Sequence, residues 1–424
     1  MKRILALVLA FIMLTVVFAS CGNNNTDDEK SNDVENQIEN ENSKESEKNT
    51  DKSTEKTENP DNTENTGTTE NTDNTGNVDN TENGGNDENN TEEDNQNGGE
   101  QVEVKPEVLY VRDGDKVTFG SYPQTLVTEV SLKSTLDGKA GNLPTASQPN
   151  NWTSYGYYQA TVKVDYMWYI DIEEAGEKYR GVYFNSYRPC GINDPSSDTA
   201  SRQDDNGYTV ETVYWFKYEP ISWTILKEDT ANGSALIFCD MIIDSQGYQN
   251  EYVQNMKDYN NYNTSEGVPN GIYANNYKYS TVRKWLNDTF MNTAFNKYEA
   301  ELIITTNVDN SASTTSAAVN GNACENTDDK IFLLSYRDIL NSEYGFASNQ
   351  YSSDAARIKK NTDYACAQGA WSNADGNGSW ILRSPDNGGT ATVRCITDNG
   401  YDFSLVSVKN VDRGIVPALQ IKFE

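Results

Sequence analysis

Ile221-Ser222-Trp223-Thr224-Ile225-Leu226, followed by Ala231-Asn232-Gly233 and then Ala235-Leu236-Ile237-Phe238-Cys239, is the stretch that decides the fold. Ile221, Trp223 and Ile225 alternate with Ser222 and Thr224, the period of a strand with one buried face. The Ala-Asn-Gly segment is a turn signal, and the apolar run after it has strand length, so the whole reads as a β-hairpin. Working outward, Val117-Thr118-Phe119-Gly120-Ser121-Tyr122 alternates in the same way before Pro123. Ile415 to Phe423 reads as a last strand, with Pro417 marking an edge or a strand start. Helices fall between these strands. Ser280 is an N-cap for Thr281–Met291, where Val282, Trp285, Leu286 and Phe290 recur at helical spacing. Ala300–Ile304 and Tyr336–Asn341 read as two shorter helices. The expectation is an α+β fold of mixed or antiparallel strands with a few short helices.

Composition sets the limits of that fold. Residues 22–104 consist mainly of Asn, Thr, Glu, Asp, Gly and Lys, with near-repeats such as Thr63-Glu64-Asn65-Thr66 and Thr69-Glu70-Asn71-Thr72. They contain no Trp, Tyr, Phe, Leu or Met. With so little to bury, nothing offsets an ordering entropy of roughly 1–2 kcal/mol per residue, so residues 21–104 read as a disordered linker. In residues 22–104, 25 carboxylates face five lysines, so the linker carries about −20 of the chain's −31 and explains the acidity without a basic partner. Its contour approaches ~280 Å, and a relaxed coil averages nearer ~50 Å. Every Tyr and Trp lies beyond Leu109, so residues 105–424 form the folded part, with Asp194–Asn206 read as a surface insertion.

The N-terminus is the strongest signal for location. Lys2 and Arg3 precede the apolar run Ile4–Phe18, broken only by Thr15, which is too short to span a bilayer comfortably. The run ends in Phe18-Ala19-Ser20-Cys21-Gly22. Residues 1–20 therefore read as a signal peptide, and the ending resembles the lipobox of bacterial lipoproteins, with Phe18 where Leu is usual. The resemblance implies a lipidated Cys21 and an extracellular, membrane-anchored chain, because two or more acyl chains at about 0.8 kcal/mol per methylene hold stably where one does not.

The folded part carries a further resemblance. Phe119-Gly120-Ser121-Tyr122-Pro123-Gln124, Tyr179-Arg180-Gly181-Val182, Arg283-Lys284-Trp285-Leu286 within Ser280 to Asn287, Lys330 to Tyr336, Thr362-Asp363-Tyr364-Ala365, Trp380 to Pro385 and Pro417-Ala418-Leu419 occur in an order that resembles domain of unknown function family 6273 (DUF6273). That family is common in secreted proteins and lipoproteins of clostridia and their relatives, and the likeness runs over nearly all of Val117–Glu424. Ile381 and Val416 depart from its usual residues. The Trp-Ile-Leu-Arg-Ser-Pro segment and the ending are more loosely similar to C-type-lectin-like and formylglycine-generating-enzyme-like folds. The resemblance implies a fold and a location but no established activity.

Chemistry narrows the remaining choices. The chain has no histidine, which removes Ser-His-Asp and Cys-His nucleophilic sites and histidine-bound metals. Beyond Cys21, the cysteines Cys190, Cys239, Cys324, Cys366 and Cys395 form no Cys-x-x-Cys pair. Cys239 reads as a small buried hydrophobe, and a Cys366–Cys395 disulfide is one option for an exported protein. Gly376-x-Gly378 lacks the strand and helix of a dinucleotide site. The folded part, near −13, offers a nucleic-acid backbone nothing to hold. Acidic pairs such as Glu219 with Asp240 or Asp244 leave a carboxylate-only hydrolase as an alternative, against a bland reading as solvated surface acids.

A binding role remains, and one region suits it. Trp371-Ser372-Asn373-Ala374-Asp375-Gly376-Asn377-Gly378-Ser379-Trp380 sets two indoles around a loop rich in side-chain oxygens, followed by Asp386-Asn387-Gly388 and Asp398-Asn399-Gly400-Tyr401. Flat aromatic faces with Asn and Asp suit sugar rings, so Trp371, Asn373, Asp375, Asn377, Asp386, Asn387, Asn399 and Tyr401 are the candidate ligand residues. Trp380 reads first as core, and Asp398-Asn399-Gly400 first as a turn. No cofactor is called for, although calcium on Asp375, Asn377 or Asp386 is conceivable, in a spacing that matches no known loop. The expected ligand is a glycan or cell-wall polymer. The alternative is a structural or assembly role with another envelope protein.

Overall fold

Val213–Asp229 and Ser234–Cys239 form the hairpin, with Asp229 opposite Ser234 and Trp223 opposite Cys239. Its turn closes on Asp229, whose carboxylate accepts from the Asn232 backbone N–H at 3.2 Å and from its side-chain amide at 2.6 Å. In this computed structural model the described residues are 105–159, 162–165, 167–190, 202–249, 272–401 and 404–423. The expected signal peptide, Cys21 and linker lie outside them. So does the insertion as far as residue 201, after which residues 203–207 are a run of turns.

The long hairpin strand organises a ten-stranded antiparallel sheet. Lys116–Leu126 pairs along it from Thr224 to Phe216, and Glu177–Phe184 pairs with its first part, Tyr183 facing Val213. Met167–Glu174 continues the sheet beside Glu177–Phe184. The expected strand over Ile415–Phe423 is two strands. Pro417, which cannot donate to a ladder, separates Gly414–Ile415 from Ala418–Lys422. Ala418–Lys422 is not at an edge. It pairs with Ser234–Cys239 on one side and with Ile303–Ile304 and Ile331–Phe332 on the other, so Pro417 marks a strand start. Gly414–Ile415 joins a second, five-stranded mixed sheet with Asp244–Ser245, Trp380–Pro385, Thr392–Ile396 and Ser404–Ser407.

Helix boundaries follow the capping chemistry. The Ser280 hydroxyl accepts from the Arg283 N–H, and the helix begun at Thr281–Trp285 runs on through a π-helical stretch, Leu286–Phe290, to Met291–Ala294. The helix expected at Ala300–Ile304 instead spans Lys297–Leu302, because Asn296 and Glu299 form a capping box and the β-branched Ile303–Ile304 leaves as a strand. The helix expected over Tyr336–Asn341 shortens to one 3-10 turn, Asp338–Leu340. Two helices carry no apolar period strong enough to be read in advance. They are Val130–Ala140 and Asp363–Ala367, the latter capped by Thr362.

The large sheet buries both faces around Glu177–Phe184. Tyr179 and Tyr183 pack with Trp152, Trp168, Trp215 and Leu136 under Val130–Ala140, whereas Val182 and Phe184 join the main core on the opposite face. Arg180 shares the alternation of Val182 and is itself buried. Trp380 is 0% exposed and donates its Nε1 hydrogen to the Arg357 carbonyl at 3.0 Å, a core residue as its strand-like setting indicates. Cys239 is likewise buried, and burial pushes its thiol up to about 12. Cys366 is a free thiol, so the Cys366–Cys395 bridge does not form. Among the described residues no helix is long and apolar enough to cross a membrane.

Candidate functional site

The Trp371–Trp380 loop is held by Asn373. Its side-chain oxygen accepts from the backbone N–H groups of Asp375 and Asn377 at 2.9 and 3.0 Å, and Gly376 turns the chain at φ +78°. The Asn373 amide then donates to Asp398 Oδ2 at 2.8 Å and so ties this loop to the Thr397–Tyr401 turn. That turn closes through Thr397 N–H to the Tyr401 carbonyl at 2.9 Å, with Asn399 Oδ1 accepting from the Thr397 hydroxyl.

Where the two loops meet, Trp371 lines an open pocket of about 260 Å³ with Ser379, Thr397, Asp398, Ser404, Arg202 and Arg413. Trp371 is half-buried, and its backbone N–H donates to the carbonyl of Asp412. The buried Asp412 carboxylate pairs with Arg413 at 2.8 Å and lies 3.6 Å from Arg202. Arg202 also pairs with Asp205 at 3.1 Å, so the pocket presents guanidinium donors whose charge is balanced, beside three hydroxyls, the Asp398 carboxylate and an indole.

The eight expected residues are not all brought together. Trp371 lines the pocket, and Asn373, Asn399 and Tyr401 shape the loops around it. Asp375 is exposed in the loop, and Asn377 pairs with Lys360 in a short ladder. Asp386 and Asn387 lie elsewhere. Trp380–Pro385 runs antiparallel to Thr392–Ile396 with Trp380 opposite Ile396, and Asp386 hydrogen-bonds Thr392 at the far end. Five residues of strand put ~16 Å between the two ends. Among the described residues no three acidic or cysteine side chains gather to hold a metal. Sequence reasoning missed Arg202, Arg413, Thr397 and Ser404, and took Asp398 only as a turn residue. Ser379 did carry a signal, since in a strand the neighbour of a buried Trp380 points the other way.

The carboxylates considered for hydrolysis do not face one another in one groove. Glu219 accepts from Thr125 Oγ1. Asp240 lines a separate cavity of about 570 Å³ and is spent on Lys116 at 2.9 Å and on Ser222 and Thr224. In the same cavity the Lys359 ammonium donates to the Cys239 carbonyl at 2.9 Å, and burial lowers it to about 8. Asp244 lines a third cavity, of about 240 Å³.

Among the curated proteins and the solved structures nothing matches this chain. The family model described as Domain of unknown function (DUF6273) matches residues 232–423, a narrower range than the motifs from Phe119 onward suggest. Every residue of the Trp371 pocket except Arg202 falls inside it. Residues 232–423 of this chain are similar to the DUF6273 family.

Proposed function

We propose that this chain is a lipid-anchored extracellular protein whose folded part binds a glycan or cell-wall polymer in the Trp371 pocket. The observation that carries the reading is the composition of that pocket. A half-exposed indole offers a sugar C–H face a stacking partner, while Ser379, Thr397, Asp398, Ser404 and the guanidinium groups match its hydroxyls with donors and acceptors. The pocket is nearly neutral, which suits an uncharged ring. The mixed sheet carrying the site at its loop end supports the C-type-lectin-like comparison as part of the same proposal.

Titrating the purified full chain with glycans and wall fragments, read by thermal shift, tests the reading. A saturable stabilisation is expected, and Trp371→Ala is expected to cost about 2 kcal/mol of binding, as truncating a central aromatic anchor does. Removing calcium is expected to leave the affinity unchanged, because Asp386 stands at the far end of the strand from the pocket. If no sugar or wall fragment shifts the transition, the glycan reading fails and a protein partner takes its place.

Anchoring has its own test. Cys21→Ser is expected to remove the lipid mass and move the chain from the membrane fraction to the medium. A chain that remains membrane-bound without Cys21 would rule out the lipid anchor.

A further inference from the structure

The cavity of about 240 Å³ lies away from Trp371 and has a different character. Tyr122, Tyr155, Tyr169, Tyr364 and Trp285 line it together with Arg180 and Asp244. The Arg180 charge is already spent, since Nε and Nη2 each lie 2.8 Å from an Asp171 oxygen and the guanidinium stacks 4.5 Å from the Tyr169 ring centre.

Among the described residues Asp244 has no ion-pair partner. It is 1% exposed, and its three donors are all neutral: the Tyr122 hydroxyl at 2.6 Å, the Ser245 N–H at 2.6 Å and the Gln246 amide at 3.1 Å. These use three of the roughly four lone-pair directions of a carboxylate. Arg188, whose charge reaches Asp244, points its Nη1 at the carbonyls of Ser245 and Gln368 and lies over the Tyr157 ring. The lining is thus one acid without an ion-pair partner among tyrosine and tryptophan rings, residue types whose faces attract cations.

We infer that this cleft is a second binding site, for a small soluble organic ammonium ion, with Asp244 as counter-ion and the tyrosine and tryptophan rings as walls. Burial raises the proton affinity of Asp244, and an incoming ammonium relieves that cost by pairing with the ionised form. Asp244 contributes nothing to a neutral ring that the Trp371 pocket does not already supply.

Calorimetric titration of the full chain with choline, and separately with its uncharged carbon isostere dimethylbutanol, tests the inference. Choline is expected to bind saturably, with the isostere at least about tenfold weaker. Asp244→Asn keeps the shape and most hydrogen bonds of the site and is expected to weaken choline by about tenfold or more, whereas Trp371→Ala leaves it unchanged. Equal binding of choline and the isostere by the unaltered chain, or no saturation up to ~10 mM choline, overturns the inference whether or not the Asp244 variant folds. Because Trp371→Ala separates the two sites, loss of the glycan reading leaves this result intact.

Discussion

Gly120→Ala is expected to destabilise the folded part by about 3–4 kcal/mol, read as a fall in the urea midpoint with an unchanged slope. Gly120 sits at the bulge where Lys116–Leu126 slips register against the long hairpin strand, with φ at +71°. A β-carbon there would stand 2.5 Å from the Phe295 ring and 2.8 Å from the Ala294 carbonyl oxygen, which belongs to the backbone and cannot swing aside. Two costs therefore add: the left-handed conformation, and overpacking against a core in which Phe119 and Phe295 are 4.9 Å apart. Gly114→Ala separates them. Gly114 also has positive φ, at +62°, but nothing within 4 Å of its added β-carbon, so only the conformational cost of about 1 kcal/mol is expected. Equal losses for the two variants would show that the Phe295 contact contributes nothing.

Arg180→Ala is the second large effect. Arg180 is 5% exposed and doubly hydrogen-bonded to Asp171, and removing one partner of a buried pair costs about 3–5 kcal/mol. The lower end, about 3 kcal/mol, is expected, since Asp171 is 27% exposed and keeps Lys178 at 3.5 Å and the Tyr218 hydroxyl at 2.9 Å. The loss also depends on pH. Burial pushes the Asp171 carboxyl up, but the hydrogen bonds and charge of Arg180 outweigh it and hold the group below its ordinary 3.8. A depressed acid contributes its stability in full above the unfolded value and loses it as pH falls through the folded one. Without Arg180 that contribution disappears, so the acid-unfolding midpoint is expected to move to higher pH. An unchanged acid midpoint would show that the pair is not what holds Asp171 ionised.

How much of this was legible in advance depended on how local each cause is. The hairpin at Ile221–Cys239 could be read because alternation and an Asn-Gly turn both act within a few residues. The Ser280 cap was readable for the same reason, and so was Trp380 as core. The helix at Lys297–Leu302 was misplaced because the decisive residue, Asn296, lies before the apolar run, so its capping box escaped a search begun from apolar spacing. Pro417 allowed two readings, and the choice rested on which strands lie on either side of Ala418–Lys422.

The candidate sites divide along the same line. The sequence alone determined that no histidine chemistry operates here, that Trp371 stands at the head of a polar, glycine-containing loop, and that Asp398-Asn399-Gly400 turns. Each follows from residue identity or from interactions spanning a few positions. Only the tertiary structure decided that Asp398 joins Trp371 while Asp386 is carried ~16 Å away, and that Arg202 and Arg413 share one buried aspartate. It likewise decided that Asp244 lies buried among tyrosines. Those juxtapositions depend on strand pairings such as Trp380 with Ile396 and with Gly414. Such pairings are set by the collective burial of apolar faces far apart in the chain, and no local pattern of residues encodes which loops that burial brings together.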